Sequence, residues 1–224
     1  MTDHTAQSAQ RTETAREVER VAAERVIFFS DAVAAIAITL LALALPVPSV
    51  HASASNHTML TALYGERTAY LPFVISFVVI GAHWRAHHRL FRSIARLDRY
   101  VIAVNMVWLL MIIITPYATR VLALPGDNDF GVRFSLYAII QVITLLALWL
   151  MSRHLRHGKL LRAGVPPPLT AFDESVVLVA TGMFAISIPI SFATPWAYLC
   201  WVASGVISRW VRRAQVWSGH EQPE

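Results

Sequence analysis

The sequence is short of charge, cysteine and lysine, and each shortage narrows what the chain can be. Charged residues make up only 15% of its 224 positions against 56% hydrophobic, too apolar a balance for a water-soluble domain of this length. The single cysteine, Cys200, lies in an apolar stretch. No intrachain disulfide can form, and a disulfide-stapled secreted scaffold is excluded. The segment before Val26 carries Glu13, Glu17 and Glu19 and has no apolar run of its own, so no cleavable signal peptide is expected. Gly-x-Ser-x-Gly, Walker-type, His-Glu-x-x-His and paired-cysteine motifs are all missing, so no catalytic residue is assigned. The apolar stretches hold almost no acids or lysines away from their ends, whereas an ion-coupled transporter would place ionisable groups at mid-depth.

What is present is a series of apolar runs able to cross a hydrocarbon core of about 30 Å. Breaking the chain at proline, glycine and charge clusters gives six, near 26–47, 69–90, 100–123, 131–152, 172–192 and 195–213. The fold class expected is an all-α membrane protein with six transmembrane helices. Residues 1–25 form an N-terminal segment, 26–213 the membrane domain and 214–224 a tail. Alternate connections hold sixteen basic residues on one side, in four groups running from Arg11 to Arg213, and only Arg67, Arg120 and Arg133 on the other. That asymmetry places both termini in the cytoplasm. It also accounts for the net charge of +5 through topology and contact with anionic membrane lipid, with no nucleic acid partner required. An Ala/Arg-rich composition with one lysine, Lys159, suits a bacterial inner membrane.

The first apolar stretch carries the informative pattern. It opens Arg25-Val26-Ile27-Phe28-Phe29-Ser30-Asp31, which sets an acid one or two turns inside an apolar helix, a costly position without a partner. At 100° per residue Ile36, Leu40, Leu43 and Val47 share a narrow sector, and Ala32, Ala35, Thr39 and Ala42 fill the next. One reading makes the small stripe a helix-packing face and the large one a lipid or core face. The other makes the large residues a ring around a symmetry axis, a hydrophobic constriction that gates by dewetting. Periodicity does not choose between them.

Arg25-x-x-x-Phe29-Ser30-Asp31, followed by Ala-Val-x-Ala-Ile-Ala-Ile-Thr-Leu-Leu, resembles the signature first helix of the transmembrane protein 175 family. That family comprises endosomal and lysosomal potassium channels and their prokaryotic relatives. Weaker likeness extends through Trp84-x-x-His87-His88-x-Leu90-Phe91, Asn105-x-x-Trp108-Leu109-Leu110 and Pro116-Tyr117-x-Thr119. The resemblance implies a cation channel favouring potassium, with its pore lined by the first helix of each repeat; the usual Thr-Val-Gly-Tyr-Gly filter is indeed missing. By position it implies the narrowest ring at Ile36, with Thr39, Leu40 and Leu43 further along. Arg25, Phe29, Ser30 and Asp31 would be a structural motif, and Trp84, His87, His88 and Asn105 possible partners. The motif occurs once, so the resemblance implies a homotetramer, with K⁺ as the permeant ion and no cofactor. Asp31 sits too near the cytoplasmic end to be a midplane ion site, and is expected to hold helix 1 in place through Arg25 or a histidine.

A rival reading comes from the nine histidines. His83-x-x-x-His87-His88 has the spacing of a histidine box in membrane di-iron desaturases and oxidases, and His154-x-x-His157 could add ligands. A third box is missing, and the nearby acid Asp98 stands alone among arginines. No metal is therefore expected.

Overall fold

The computed structural model describes residues 2–43, 45–51, 53–126, 129–158, 160–161 and 171–205. Among these the chain is helical, and the only β feature is an isolated bridge between Ile94 and Leu161.

Helix α1 (Thr2–Ala42) has 41 residues, roughly 60 Å at 1.5 Å per residue, so residues 2–25 are continuous with the first apolar stretch. Its polar half is laced by Arg20, which meets Glu17 at 2.6 Å and Glu24 at 2.8 Å, the spacing at which helix-surface pairs meet. Glu19 reaches sideways to Arg96 at 3.1 Å. The helix stops at Ala42, short of the Val47 expected, because Pro46 and Pro48 remove donors and push the residues before them out of the helical region.

Within the connection at 48–68 the chain forms a further helix, α2 (Asn56–Gly65), whose N-cap Ser55 accepts the Thr58 N–H at 3.2 Å. This capped segment was hidden from hydropathy by its short length. Next come α3 (Arg67–Arg92), α4 (Arg99–Leu122), α5 (Phe130–His157) and α6 (Ala171–Ser191). A 3₁₀ turn, Pro195–Ala197, leads into α7 at 198–205. Among the described residues four helices are long and apolar enough to cross a membrane: α1 from Glu17, α3 from Ala69, α4 and α5. The apolar part of α6 is shorter, Ser175–Ser191. The remainder of the stretch expected at 195–213, and the tail at 214–224, lie outside the described residues.

Helix α5 is the spine. It packs between α4 and α6, while α1 lies against α3 and α4. Phe134 and Tyr137 of α5 are fully buried in an aromatic knot with Phe184 of α6 and Tyr198 and Trp201 of α7. The Trp201 Nε1–H donates to Ser187 Oγ at 3.0 Å. At the α4–α5 turn, where Gly126 takes φ 116°, the buried Arg133 donates to the Leu124 and Gly126 carbonyls and pairs with Asp129 at 3.0 Å.

The other end is fastened by Asp98. Its carboxylate accepts the Val101 N–H at 2.8 Å as the N-cap of α4, and it also meets His154 of α5. Desolvation opposes the charge, but the Val101 N–H and His154 outweigh it and hold the carboxyl below its ordinary value. The contribution is therefore present near neutral pH and lost as the pH falls through that lowered value.

Trp201→Ala empties the aromatic knot and is expected to cost about 3–5 kcal/mol, read as a lowered melting temperature in detergent. Trp201→Phe keeps an aromatic ring in the knot and loses the Ser187 bond with part of the ring area, so its loss should be clearly smaller. Equal losses for the two would mean that the knot is not a source of stability.

Candidate functional site

The face that α1 turns to its own chain is narrow. Ala23, Ser30, Ala34, Ala37 and Leu41 are each 2% exposed or less, and at 100° per residue they lie on one side of the helix. The small residues let α1 approach α3 and α4 closely. This is a different small stripe from the one singled out by periodicity. Ala32, Ala35, Thr39 and Ala42 all face outward, so they are not the intrachain packing surface.

Two polar contacts fix α1 at the level of Ser30 and Asp31. Ser30 is buried and accepts the Asn105 Nδ2–H from α4 at 3.1 Å. Asn105 Oδ1 meets His87 Nε2 of α3 at 2.7 Å. A carbonyl oxygen only accepts, so His87 carries its proton on Nε2. Its ring is sandwiched between Phe91 and Trp108, each with its centroid 4.1 Å away. One serine hydroxyl, one amide and one imidazole thus tie three helices together inside an apolar surround. His87 Nδ1 and Trp108 Nε1 have no partner among the described residues.

Asp31, one residue on, faces the half-exposed flank. Its carboxylate accepts Trp84 Nε1–H at 2.9 Å and meets His88 Nδ1 at 3.1 Å. The acid is hydrogen-bonded by side chains of α3, while Arg25 is exposed and makes no ion pair among the described residues. Phe29 differs from its two neighbours. It is 55% exposed and belongs to the outward face, so the Phe-Ser-Asp triplet divides between a buried anchor and an uncovered surface.

That outward face runs on through Ile36, Thr39, Leu40 and Leu43. Ile36 is 58%, Leu40 41% and Leu43 79% exposed, and no other helix among the described residues covers them. Thr39 is exposed and spends its hydroxyl on the Ile36 carbonyl at 2.8 Å.

The histidines do not converge. His83 meets Gln141 Oε1 at 3.0 Å, His87 meets Asn105, His88 meets Asp31 and His154 meets Asp98. Among the described residues no group of three or more histidine, cysteine or acidic side chains could hold a metal ion. His83 and His87 share a helix face, but facing helices supply each with its own amide oxygen. Gln141 was not foreseen, because a glutamine inside an apolar helix has no sequence mark beyond its polarity. A second buried cluster, Ser76 with Thr119 at 2.7 Å and Tyr137 at 3.1 Å, was likewise invisible without the fold.

Residues 25–116, which hold both anchors, match the family model described as endosomal/lysosomal potassium channel TMEM175. Over 187 residues the chain is 33% identical to a potassium channel of Streptomyces collinus, covering 82% of this chain and 88% of that protein. A 99-residue stretch is 37% identical to a potassium channel of Chamaesiphon minutus, covering 44% of this chain and 48% of that one. The fold is also similar to the crystal structure of a lysosomal potassium-selective channel TMEM175 homolog from Chamaesiphon minutus. The TM-score is 0.67 and the identity 25%, over 87% of this chain and 98% of the other. The chain belongs to the TMEM175 potassium-channel family; its family is one of ion channels, not enzymes, and the di-iron reading of the histidines is set aside.

Asn105→Ala is expected to destabilise the protein more than Ser30→Ala, since it also strips His87 of its acceptor, a loss of about 1–3 kcal/mol. A double-mutant cycle between Ser30 and Asn105, read from melting in detergent, should return a coupling near 0.6 kcal/mol, as for other interhelical bonds in membranes. Zero coupling would mean that the Ser30–Asn105 bond does not hold α1.

Proposed function

We propose that four copies of the chain assemble about a central axis in a bacterial inner membrane and conduct K⁺ down its electrochemical gradient. Each copy crosses the membrane six times with both termini cytoplasmic, and α1 lines the pore. The observation that carries this reading is the uncovered face of α1. Its buried side is fastened by Ser30 and Asp31, which leaves Ile36, Thr39, Leu40 and Leu43 uncovered by any other helix among the described residues. A helix at a symmetry axis needs such a face, and membership of a potassium-channel family supports the same assignment.

Ile36 forms the narrowest ring, Leu40 and Leu43 extend the apolar constriction, and Thr39 supplies the polar side chain of the lining. A narrow ring of branched side chains excludes hydrated ions by dewetting. When the ring widens, partly dehydrated cations pass, and the weaker hydration of K⁺ favours it over Na⁺. No carbonyl filter and no cofactor enter this mechanism. Ser30 and Asp31 act structurally, with Trp84, His87, His88 and Asn105 as their partners, and Arg25 and Phe29 complete the motif on the exposed side of α1. Anionic lipid contacts the cytoplasmic arginines.

Flux of K⁺ compared with Na⁺ into liposomes holding the purified protein tests the reading. Wild type should pass K⁺ faster, and Ile36→Asn should raise conductance and erode the discrimination. Unchanged flux and selectivity in that variant would remove Ile36 from the pore, and no flux in wild type would overturn the channel. Asp31→Asn should chiefly impair folding or assembly; a stable tetramer that had lost conduction would instead put Asp31 on the ion path.

A further inference from the structure

One exposed stripe of α3 runs from apolar side chains into a cluster of three arginines. Leu71, Val74 and Val78 are 54%, 53% and 61% exposed, and at 100° per residue they align with Arg85, Arg89 and Arg92, all exposed. Between the apolar and the basic parts lie Gly81 and Ala82. A Cβ placed on Gly81 would meet nothing within 4 Å, so the stripe narrows there into an open notch. The three arginines occupy about two helical turns, roughly 10 Å along the axis.

Their charges are not balanced within the chain. Arg85, Arg89 and Arg92 have no hydrogen-bond or ion-pair partner among the described residues. The acids nearest this end are engaged elsewhere: Glu17 and Glu24 with Arg20, Glu19 with Arg96, Asp31 with Trp84 and His88, and Asp98 with His154. Arginines in the last turn do favour a helix C-terminus, which accounts for Arg89 and Arg92. It does not account for Arg85, which lies nearly two turns further in, next in sequence to Trp84, a residue type enriched at the membrane boundary.

We propose that this stripe is a binding site for one anionic glycerophospholipid. Its phosphodiester is held by the guanidinium groups of Arg85, Arg89 and Arg92, which match phosphate in forked pairs. Its glycerol backbone lies over the notch at Gly81 and Ala82, and an acyl chain runs along Val78, Val74 and Leu71. The order of the parts along α3 is the order of the parts of a lipid. Free phosphate would satisfy the arginines but would leave the apolar stripe unexplained. The site requires only that α3 cross a bilayer, and it is independent of whether α1 conducts.

Native mass spectrometry of the full chain, delipidated in mild detergent and titrated with phosphatidylglycerol, phosphatidylcholine or inorganic phosphate, tests it. Each arginine near a lipid surface contributes about 1 kcal/mol, a factor of about five. Wild type should retain phosphatidylglycerol in preference to phosphatidylcholine. Arg89→Gln should weaken that retention about fivefold, and the triple Arg85→Gln, Arg89→Gln, Arg92→Gln variant by more than tenfold. Arg120→Gln, at an exposed arginine in the last turn of α4, at the opposite membrane face, should leave it unchanged, and excess inorganic phosphate should fail to displace the lipid. Should the triple variant not fold, Arg89→Gln alone gives the reading. Equal retention in wild type and in the arginine variants, or equal retention of the two lipids, would overturn the site. Full displacement by phosphate would overturn the lipid in favour of a bare anion.

Discussion

Everything proposed for this chain depends on α1 being held by one side only. In lipid there is no hydrophobic driving force between helices, so a helix is fixed by close packing and by hydrogen bonds that have no better alternative. The chain uses both. Ala34, Ala37 and Leu41 bring α1 against its neighbours, and Ser30 and Asp31 set its rotation and depth. Rotating the helix by one residue, 100°, would carry Ser30 away from Asn105 and place an unpaired acid in the apolar surround, a cost far above that of a shifted methyl contact. Orientation is thereby specified by two adjacent polar residues, and the outward face of Phe29, Ile36 and Leu43 follows from it.

The two polar residues divide the work. Ser30 is fully enclosed and bonds through neutral groups, a serine hydroxyl, an amide and an imidazole, so no charge is buried. Asp31, on the flank, carries the charge where it is still half-exposed and meets two N–H donors. Had the order been reversed, the carboxylate would have been buried among Phe91, Trp108 and His87, and the neutral hydroxyl would have faced the boundary. The stacking of His87 between two aromatic rings adds stiffness to the neutral arm. A sandwiched imidazole has one orientation, and the Asn105 amide is aligned by it.

Much of this was legible in the sequence and some was not, for reasons that differ residue by residue. The membrane class and the first helix were read from apolar length and from the Arg25 to Asp31 motif, because both are local properties. The end of α1 at Ala42 was placed too late, since hydropathy continued to Val47 while Pro46 had already closed the helix. The stripe Ala32, Ala35, Thr39 and Ala42 was a candidate packing face and lies outside instead. Periodicity reports that two faces exist but not which one meets the rest of the chain. Trp84, His88, His87 and Asn105 were named together as motif partners, yet their pairing, Asp31 with the first two and Ser30 through Asn105 with His87, needed the crossing of α1 over α3 and α4. Glu19 with Arg96 and His83 with Gln141 join distant segments through single contacts, and nothing local announces either.

The histidines show how the same spacing serves unrelated ends. His83 and His87, four apart on α3, have the geometry of two ligands to one metal, and so far as α3 alone is concerned they could be. What separates the outcomes is the chemistry presented across the helix interface. A ligand set needs a third and fourth donor converging on the same point, whereas α4 and α5 offer Asn105 and Gln141, one amide oxygen to each ring. An amide oxygen that accepts from Nε2–H fixes the imidazole in a single tautomer. It also takes up the nitrogen that a shared ligand role would leave free. Each imidazole therefore locks its own helix pair, α3 to α4 at His87 and α3 to α5 at His83, and the pair of rings forms a ladder along one face of α3. With Ser76, Thr119 and Tyr137 as a further rung, α3 is bonded to its neighbours at three depths, and the frame against which α1 is anchored is correspondingly rigid.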